Sequence, residues 1–246
     1  MSFRSHIVNM QNPFAFARMA VAFLKLVRDP SKLDEVFAIL DRLENGPTGE
    51  KLVREFADNP LHREVFVRRP KIGRVDLEAL EKLPEGTLGR TFADDIRQRG
   101  LNLDDVQRRP DDGSEASFVF NHLRGTHDIW HTVTGFDVDV AGELGLQAFY
   151  LTQFTAHLSL MILALGILNT LFFAIGERQL RMDEIARGWR MGRKSRPFFG
   201  FDWAAHWETP LVDVRAMLGL EAEDVTRRSE LHSSRTLAMS PLSAGA

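Results

Sequence analysis

The stretch Ser114 to Gly135, SEASFVFNHLRGTHDIWHTVTG, decides the fold. Its large apolar residues recur with a helical rather than an alternating period, and Ser114 to Val133 reads as one long helix ended by Thr134-Gly135. The same period extends outward in both directions. Upstream, Thr87 can cap a helix from Leu88 to Arg99 that Gly100 closes, and Leu77, Leu80 and Leu83 form a helix stopped by Pro84-Glu85-Gly86. Leu52, Val53 and Phe56 make a shorter helix ending at Asn59-Pro60. Ser31 caps Lys32 to Leu43, and Phe14 to Val27 is the first amphipathic helix, with Pro13 ahead of it and Asp29-Pro30 after it. Val65 to Val67 reads as a short extended piece broken by Arg69-Pro70, and Asn102 to Gly113 as a polar loop. Downstream come Val140 to Gly176 with a break, Glu177 to Arg193 ended by Pro197, and Leu211 to Leu218 opened by Pro210. The expectation is an all-α protein, a single helical domain over residues 1–220, without internal repeats. Glu221 to Ala246, rich in Ser, reads as a disordered C-terminal tail.

Composition narrows the chemistry. The 246 residues are 44% apolar and 26% charged, which is globular composition, and the length suits one large domain or two small ones. Thirty-one basic against 34 acidic side chains argue against a nucleic-acid-coating surface, so no nucleic-acid partner is expected. With no Cys, thiolate nucleophiles, disulfides and iron–sulfur clusters are excluded, and any metal must be held by His, Asp and Glu. The first 28 residues carry Arg4, Arg18, Lys25 and Arg28 and no acid, as mitochondrial presequences do. The helix at Phe14 to Val27 is the preferred reading, and it favours a bacterial source.

His127 and His131 stand one helical turn apart, and Asp128 falls within the same 100° arc. Two imidazoles at i and i+4 clamp a divalent metal well. Gly135 then turns the chain, Asp137 or Asp139 can cap the next helix, and Glu143, early in that helix, would stand near His131 in an antiparallel hairpin. The candidate metal ligands are therefore His127, Asp128, His131 and Glu143. Asp128 is equally readable as a ligand or as the hydrogen-bond partner of an imidazole, and it is the candidate catalytic base if it does not complete the shell. His122 and His157 read as core or surface histidines.

The spacing His127-Asp128-x-x-His131, eleven residues, then Glu143 resembles the metal-ligand motif of the coenzyme Q (ubiquinone) biosynthesis protein four family. The string HDIWHTVTGF (127–136), LPEGTLGRTF (83–92, with Phe92 where the family more often has Tyr) and RPFFGFDWAAHWETPLVDVRAMLGL (196–220) resemble it too. The likeness runs over roughly residues 13 to 220. It implies a membrane-associated helical protein of ubiquinone biosynthesis. Its reaction would be at ring carbon one of a polyprenylated hydroxybenzoate, where a carboxylate is lost and a hydroxyl gained. It also implies other ubiquinone-biosynthesis enzymes as partners. The site would be cytoplasmic and peripheral to the inner membrane in a bacterium, or on the matrix face of the mitochondrial inner membrane in a eukaryote. The cofactor would be a divalent metal: zinc, as a Lewis acid, or iron, which could also do redox chemistry. A non-catalytic, lipid-binding scaffold with a structural metal is the second reading, and a His-Asp-type phosphohydrolase a distant third. A homo-oligomer stays open.

From Leu144 to Gly176 there is no Asp, Glu, Lys or Arg. Three readings fit: a core helix, one wall of a polyprenyl-tail pocket, or a membrane-inserted segment. For Leu158 to Ile175 the core helix is the preferred reading; the isoprenoid tails that the resemblance implies would need a pocket, and Leu158, Met161, Ile162, Leu165 and Phe172 could supply one wall of it. The basic run that follows offers Arg187, Arg190, Arg193 and Lys194 to an anionic membrane surface.

Overall fold

A computed structural model describes residues 44–101, 103 and 110–225. The helices expected at Phe14 to Val27 and Lys32 to Leu43, the basic N-terminal stretch and the chain beyond Val225 lie outside these residues. Among the described residues the fold is all-α, with no strand. The helices are α1 (Pro47–Asp58), α2 (Arg63–Arg68), α3 (Leu77–Leu80), α4 (Leu88–Arg99), α5 (Glu115–Thr134), α6 (Val140–Gln153), α7 (His157–Phe173), α8 (Arg178–Lys194), α9 (Leu211–Met217) and α10 (Ala222–Val225).

The local signals act as expected at most boundaries. Thr87 accepts from the Arg90 N–H to cap α4, Ser114 accepts from Ser117 to cap α5, and Gly100 closes α4 with φ 63°. Two expectations are corrected. Val65 to Val67 is helical, part of α2, because the segment buries one side only: Val65 packs among Phe56, Phe118 and Phe199 while Val67 is 80% exposed. Tertiary burial overrides β-branched propensity there. The domain also runs past 220, since α10 returns Val225 to the main core.

That core gathers Leu88, Phe92, Ile129, Trp130, Phe149, Phe198 and Trp203 from α4, α5, α6 and the 196–211 segment. Two stretches far apart in sequence pair inside it. Gly86, Leu88 and Gly89 exchange backbone hydrogen bonds with Leu211, Thr209 and Trp207, and Phe92 stacks on Trp207. A second aromatic cluster holds His62 and His122. His122 Nδ1 donates to the Pro70 carbonyl, and Nε2 accepts from the Gly200 N–H at 3.0 Å.

Helix α6 is the spine that positions the site, with α7 on one flank and α8 on the other. A Cβ at Gly188 of α8 would fall on the Gly145 carbonyl of α6, so only glycine permits this approach. Arg181 then ties α8 to α7, donating to Asn169 Oδ1 at 2.6 Å and to Thr170 Oγ1 at 3.0 Å.

Helix α7 buries a mixed face and exposes an apolar one. Ser159, Leu163, Leu165, Gly166, Asn169 and Thr170 face inward, while Leu160, Ile167, Leu171, Phe172 and Phe173, with Ile175 just beyond, are 47–66% exposed. The core-helix reading of the charge-free stretch therefore holds for one side of α7 only. On the buried side Asn169 and Thr170 receive Arg181, and Gly166 lets Leu144 of α6 approach closely.

A candidate metal centre between two helices

Helix α5 carries two histidines one turn apart, and Gly135, at φ 70°, takes the left-handed conformation that stops the helix. The chain reverses through buried Phe136. Asp139, one of the two expected caps, accepts from the Gly142 N–H at 2.9 Å and starts α6. Glu143 thus sits in the first turn of α6, where the helix dipole favours a carboxylate.

The hairpin brings His127, His131 and Glu143 together. One ligand atom from each lies within 4.8 Å of the others. His131 Nε2 is 3.1 Å and His127 Nε2 3.8 Å from the same oxygen, Glu143 Oε1, and the two rings are edge to face with centroids 4.9 Å apart. His131 is fully buried, whereas His127 and Glu143 keep about a third of their side-chain surface open, 34% and 35%. The cluster has an inner wall and an outer mouth.

The hydrogen bonding of His131 states what the cluster lacks. Its Nδ1 lies 3.1 Å from the Phe136 carbonyl, which can only accept, so Nδ1 carries the hydrogen. In the neutral ring Nε2 then presents a lone pair to a carboxylate oxygen. Two acceptors at that distance require a cation, either a proton on the ring or a metal between them. Ligand atoms about 2.1 Å from a tetrahedral zinc are about 3.4 Å apart, so the 3.1 and 3.8 Å separations suit a shared ion. Two imidazoles and one carboxylate also form the facial set that iron uses, with positions left for substrate.

The surroundings shift the protonation of the set. Burial disfavours the Glu143 carboxylate, but the His131 charge and the hydrogen bonds of both histidines hold it well below the usual carboxylate range. Burial pulls His127 downward, and Glu143 and then Asp128 more than compensate, so its pKa is raised. Asp128 is half-buried on the same helix and stands outside the three-residue cluster, without a hydrogen bond or ion pair among the described residues. His122, held by backbone on both sides, and exposed His157 are not part of the site.

One neighbour was missed. The hydroxyl of Tyr150 is 3.2 Å from His127 Nδ1. Tyr150 stands seven residues after Glu143, two turns along the same face of α6, a spacing that could have found it.

Of the residues expected to wall a pocket, Leu165 is buried, Leu158, Met161 and Ile162 are half-buried and Phe172 is 66% exposed; none of the five lines the two grooves that run along Leu151 to Gln153. Those grooves, of about 430 and 480 Å³, share Leu151, Thr152 and Gln153. The second continues over Phe154, Ala156 and Leu160. Arg187 is also corrected. It turns inward, bonded to Glu184, Asp224 and the last carbonyls of α5 and stacked 3.8 Å over Phe136, because the C-terminal end of α5 needs a cation there. Lys194 pairs with Glu221 and Asp224, while Arg190 and Arg193 are exposed.

Comparison with known proteins adds an independent finding. Residues 5–224 match the family model described as "Coenzyme Q (ubiquinone) biosynthesis protein Coq4". The relative named "Ubiquinone biosynthesis protein coq4, mitochondrial" from Aspergillus niger is 30% identical over 193 residues, 76% of this chain and 60% of that protein. The one named "Ubiquinone biosynthesis protein COQ4, mitochondrial" from Scheffersomyces stipitis is 23% identical over 197 residues, 78% and 60% of the two chains. The chain thus spans about three-fifths of the length of these relatives. A crystal structure of a protein from Nostoc punctiforme PCC 73102, provisionally named for ubiquinone biosynthesis, superposes with a TM-score of 0.72 at 30% identity, over 82% of this chain and 97% of the other.

Proposed function

This chain belongs to the coenzyme Q (ubiquinone) biosynthesis protein Coq4 family, and from that premise we propose that it is a metal-dependent enzyme of ubiquinone biosynthesis. Its reaction is the oxidative decarboxylation and hydroxylation of ring carbon one in a polyprenylated hydroxybenzoate. The observation that carries this reading is the pair of facing acceptors, His131 Nε2 and Glu143 Oε1, which a divalent cation would satisfy.

His127, His131 and Glu143 would hold the ion. When bound, zinc supplies Lewis acidity and iron adds redox chemistry with dioxygen. The net change is loss of carbon dioxide from the ring carbon and gain of a hydroxyl from dioxygen, with two electrons and two protons from an external reductant taking the second oxygen atom to water. The chain's own residues bind and move protons. Asp128, half-buried, next in sequence to His127 and unpaired among the described residues, accepts the proton of the substrate's phenol or carboxyl group. Fully buried His131 excludes water on the inner side.

The isoprenoid tail needs an apolar path outward. Phe154 packs 5.5 Å from Tyr150 and borders the groove that ends at Leu160, the first exposed apolar residue of α7. A route from the metal centre over Tyr150, Phe154 and Leu160 to the exposed face of α7 suits a substrate drawn from a bilayer. The exposed phenylalanines lead us to place α7 in the interface, with Phe172 and Phe173 inserted and Arg190 and Arg193 nearer the headgroups. That membrane is the bacterial inner membrane on its cytoplasmic side, or the mitochondrial inner membrane on its matrix side.

The test is metal analysis of the purified protein, followed by incubation with prenylated hydroxybenzoate, dioxygen and reductant. Hydroxylated, decarboxylated product supports the enzyme. Stoichiometric bound lipid without turnover, in protein of full metal content, would replace it with the scaffold reading.

A further inference from the structure

For one metal to be shared, both imidazoles must present Nε2 toward Glu143, and each therefore needs an acceptor for its Nδ1–H. The Phe136 carbonyl does this for His131, and a carbonyl leaves no choice of tautomer. At His127 the corresponding neighbour is a phenol, Tyr150 Oη at 3.2 Å, which can either donate or accept. The tyrosine itself is rigidly placed. It is 7% exposed, stacked on Trp130 with centroids 4.4 Å apart and planes 18° from parallel, and met edge-on by Phe154. Its hydroxyl makes no other hydrogen bond among the described residues.

We propose that Tyr150 is the positioning residue of this centre: its phenol oxygen accepts the Nδ1–H of His127 and so turns Nε2 toward Glu143 for metal binding. The inference rests on the metal reading of the preceding subsection and adds a residue outside the His-Asp-His-Glu set. If instead the phenol donated to Nδ1, the Nε2 hydrogen of His127 would face Glu143, and the ring would be unavailable to a metal. The phenol can accommodate either tautomer, and only its accepting orientation leaves the Nε2 lone pair of His127 free for the ion.

Because the chain has a single tyrosine, the test is direct. Biosynthetic incorporation of 3-fluorotyrosine labels only position 150, and one ¹⁹F resonance reports it. Zn²⁺ alone, titrated into the metal-free labelled protein, should shift that resonance, and should leave it in place in the His127→Ala variant. In parallel, Tyr150→Phe removes only the oxygen. It should weaken Co²⁺ binding, measured against a competing chelator, by about 10- to 100-fold and alter the visible ligand-field spectrum. The fluorotyrosine protein, which keeps the hydroxyl, should retain wild-type affinity and spectrum. Should Tyr150→Phe destabilise the fold, the ¹⁹F titration alone decides. Wild-type affinity and spectrum in Tyr150→Phe, or a ¹⁹F signal indifferent to Zn²⁺ while the protein binds it, overturns the positioning role and leaves the metal centre standing. Failure of the wild-type protein to bind either ion overturns the metal centre itself, and this inference with it.

Discussion

Acid should destabilise the metal-free protein through a histidine that has no part in the chemistry. His122 is 6% exposed and fixed in one tautomer, donating to the Pro70 carbonyl and accepting from the Gly200 N–H. Protonating Nε2 would set an N–H against an N–H, and burial pushes the pKa down to about 4 from an ordinary 6.5, against weaker raising effects of Pro70 and Asp202. The unfolded chain binds this proton and the folded one does not, so stability falls as pH drops from about 6.5 toward about 4. Two and a half pH units at about 1.4 kcal/mol each give a ceiling of about 3.5 kcal/mol, of which about 2.5 kcal/mol is lost between about pH 7 and 4.5. With a urea m-value of about 2.5 kcal/mol/M, the unfolding midpoint should move down by about 1 M over that interval. The window also isolates the effect. Glu143, held low, contributes stability lost only below the ordinary carboxylate pKa. His127, raised, contributes stability already complete below about pH 6.5. Buried His62, also lowered, acts in the same sense as His122, so the comparison must be made against His122→Gln, whose amide oxygen can still accept from Gly200. Urea titrations in a chelating buffer should show wild type losing about 2.5 kcal/mol more than the variant between these pH values. Parallel pH dependence of the two proteins would refute the reasoning.

Three further outcomes are expected. His131→Ala should abolish stoichiometric zinc binding, while Asp128→Asn, outside the cluster, should retain the metal and lower turnover by about 100-fold or more; metal content and product yield on the same samples check both. Replacing both Phe172 and Phe173 by Glu should cut binding to anionic vesicles at least several-fold in a flotation assay without moving the melting temperature, since both are more than half exposed. Arg187→Met should instead leave vesicle binding alone and cost about 3 kcal/mol in urea unfolding, because it strands the buried Glu184 carboxylate and the end of α5.

Much of this protein follows from local sequence physics. Caps and stops at Thr87, Ser114 and Gly135 mark helix boundaries because they act on the backbone within a turn, and the i, i+4 histidines share a face in any helix. Glu143 was reachable because a short turn makes antiparallel neighbours. Other features needed the tertiary structure, because they depend on what packs on what. Nothing local tells Val65 to bury on one side and curl, or Arg187 to turn in toward the end of another helix rather than out to solvent. Spacing puts Tyr150 on the Glu143 face of α6, but only the packing of α6 on α5 sets its hydroxyl against a histidine 23 residues away. The charge-free stretch shows the division most plainly. Composition announced that Leu144 to Gly176 avoids charge, but not where its apolar groups go. Only the close seat of α7 on α6, and the bonds of Arg181 to Asn169 and Thr170, decided that Leu163 and Leu165 go inward while Leu160, Leu171, Phe172 and Phe173 turn outward.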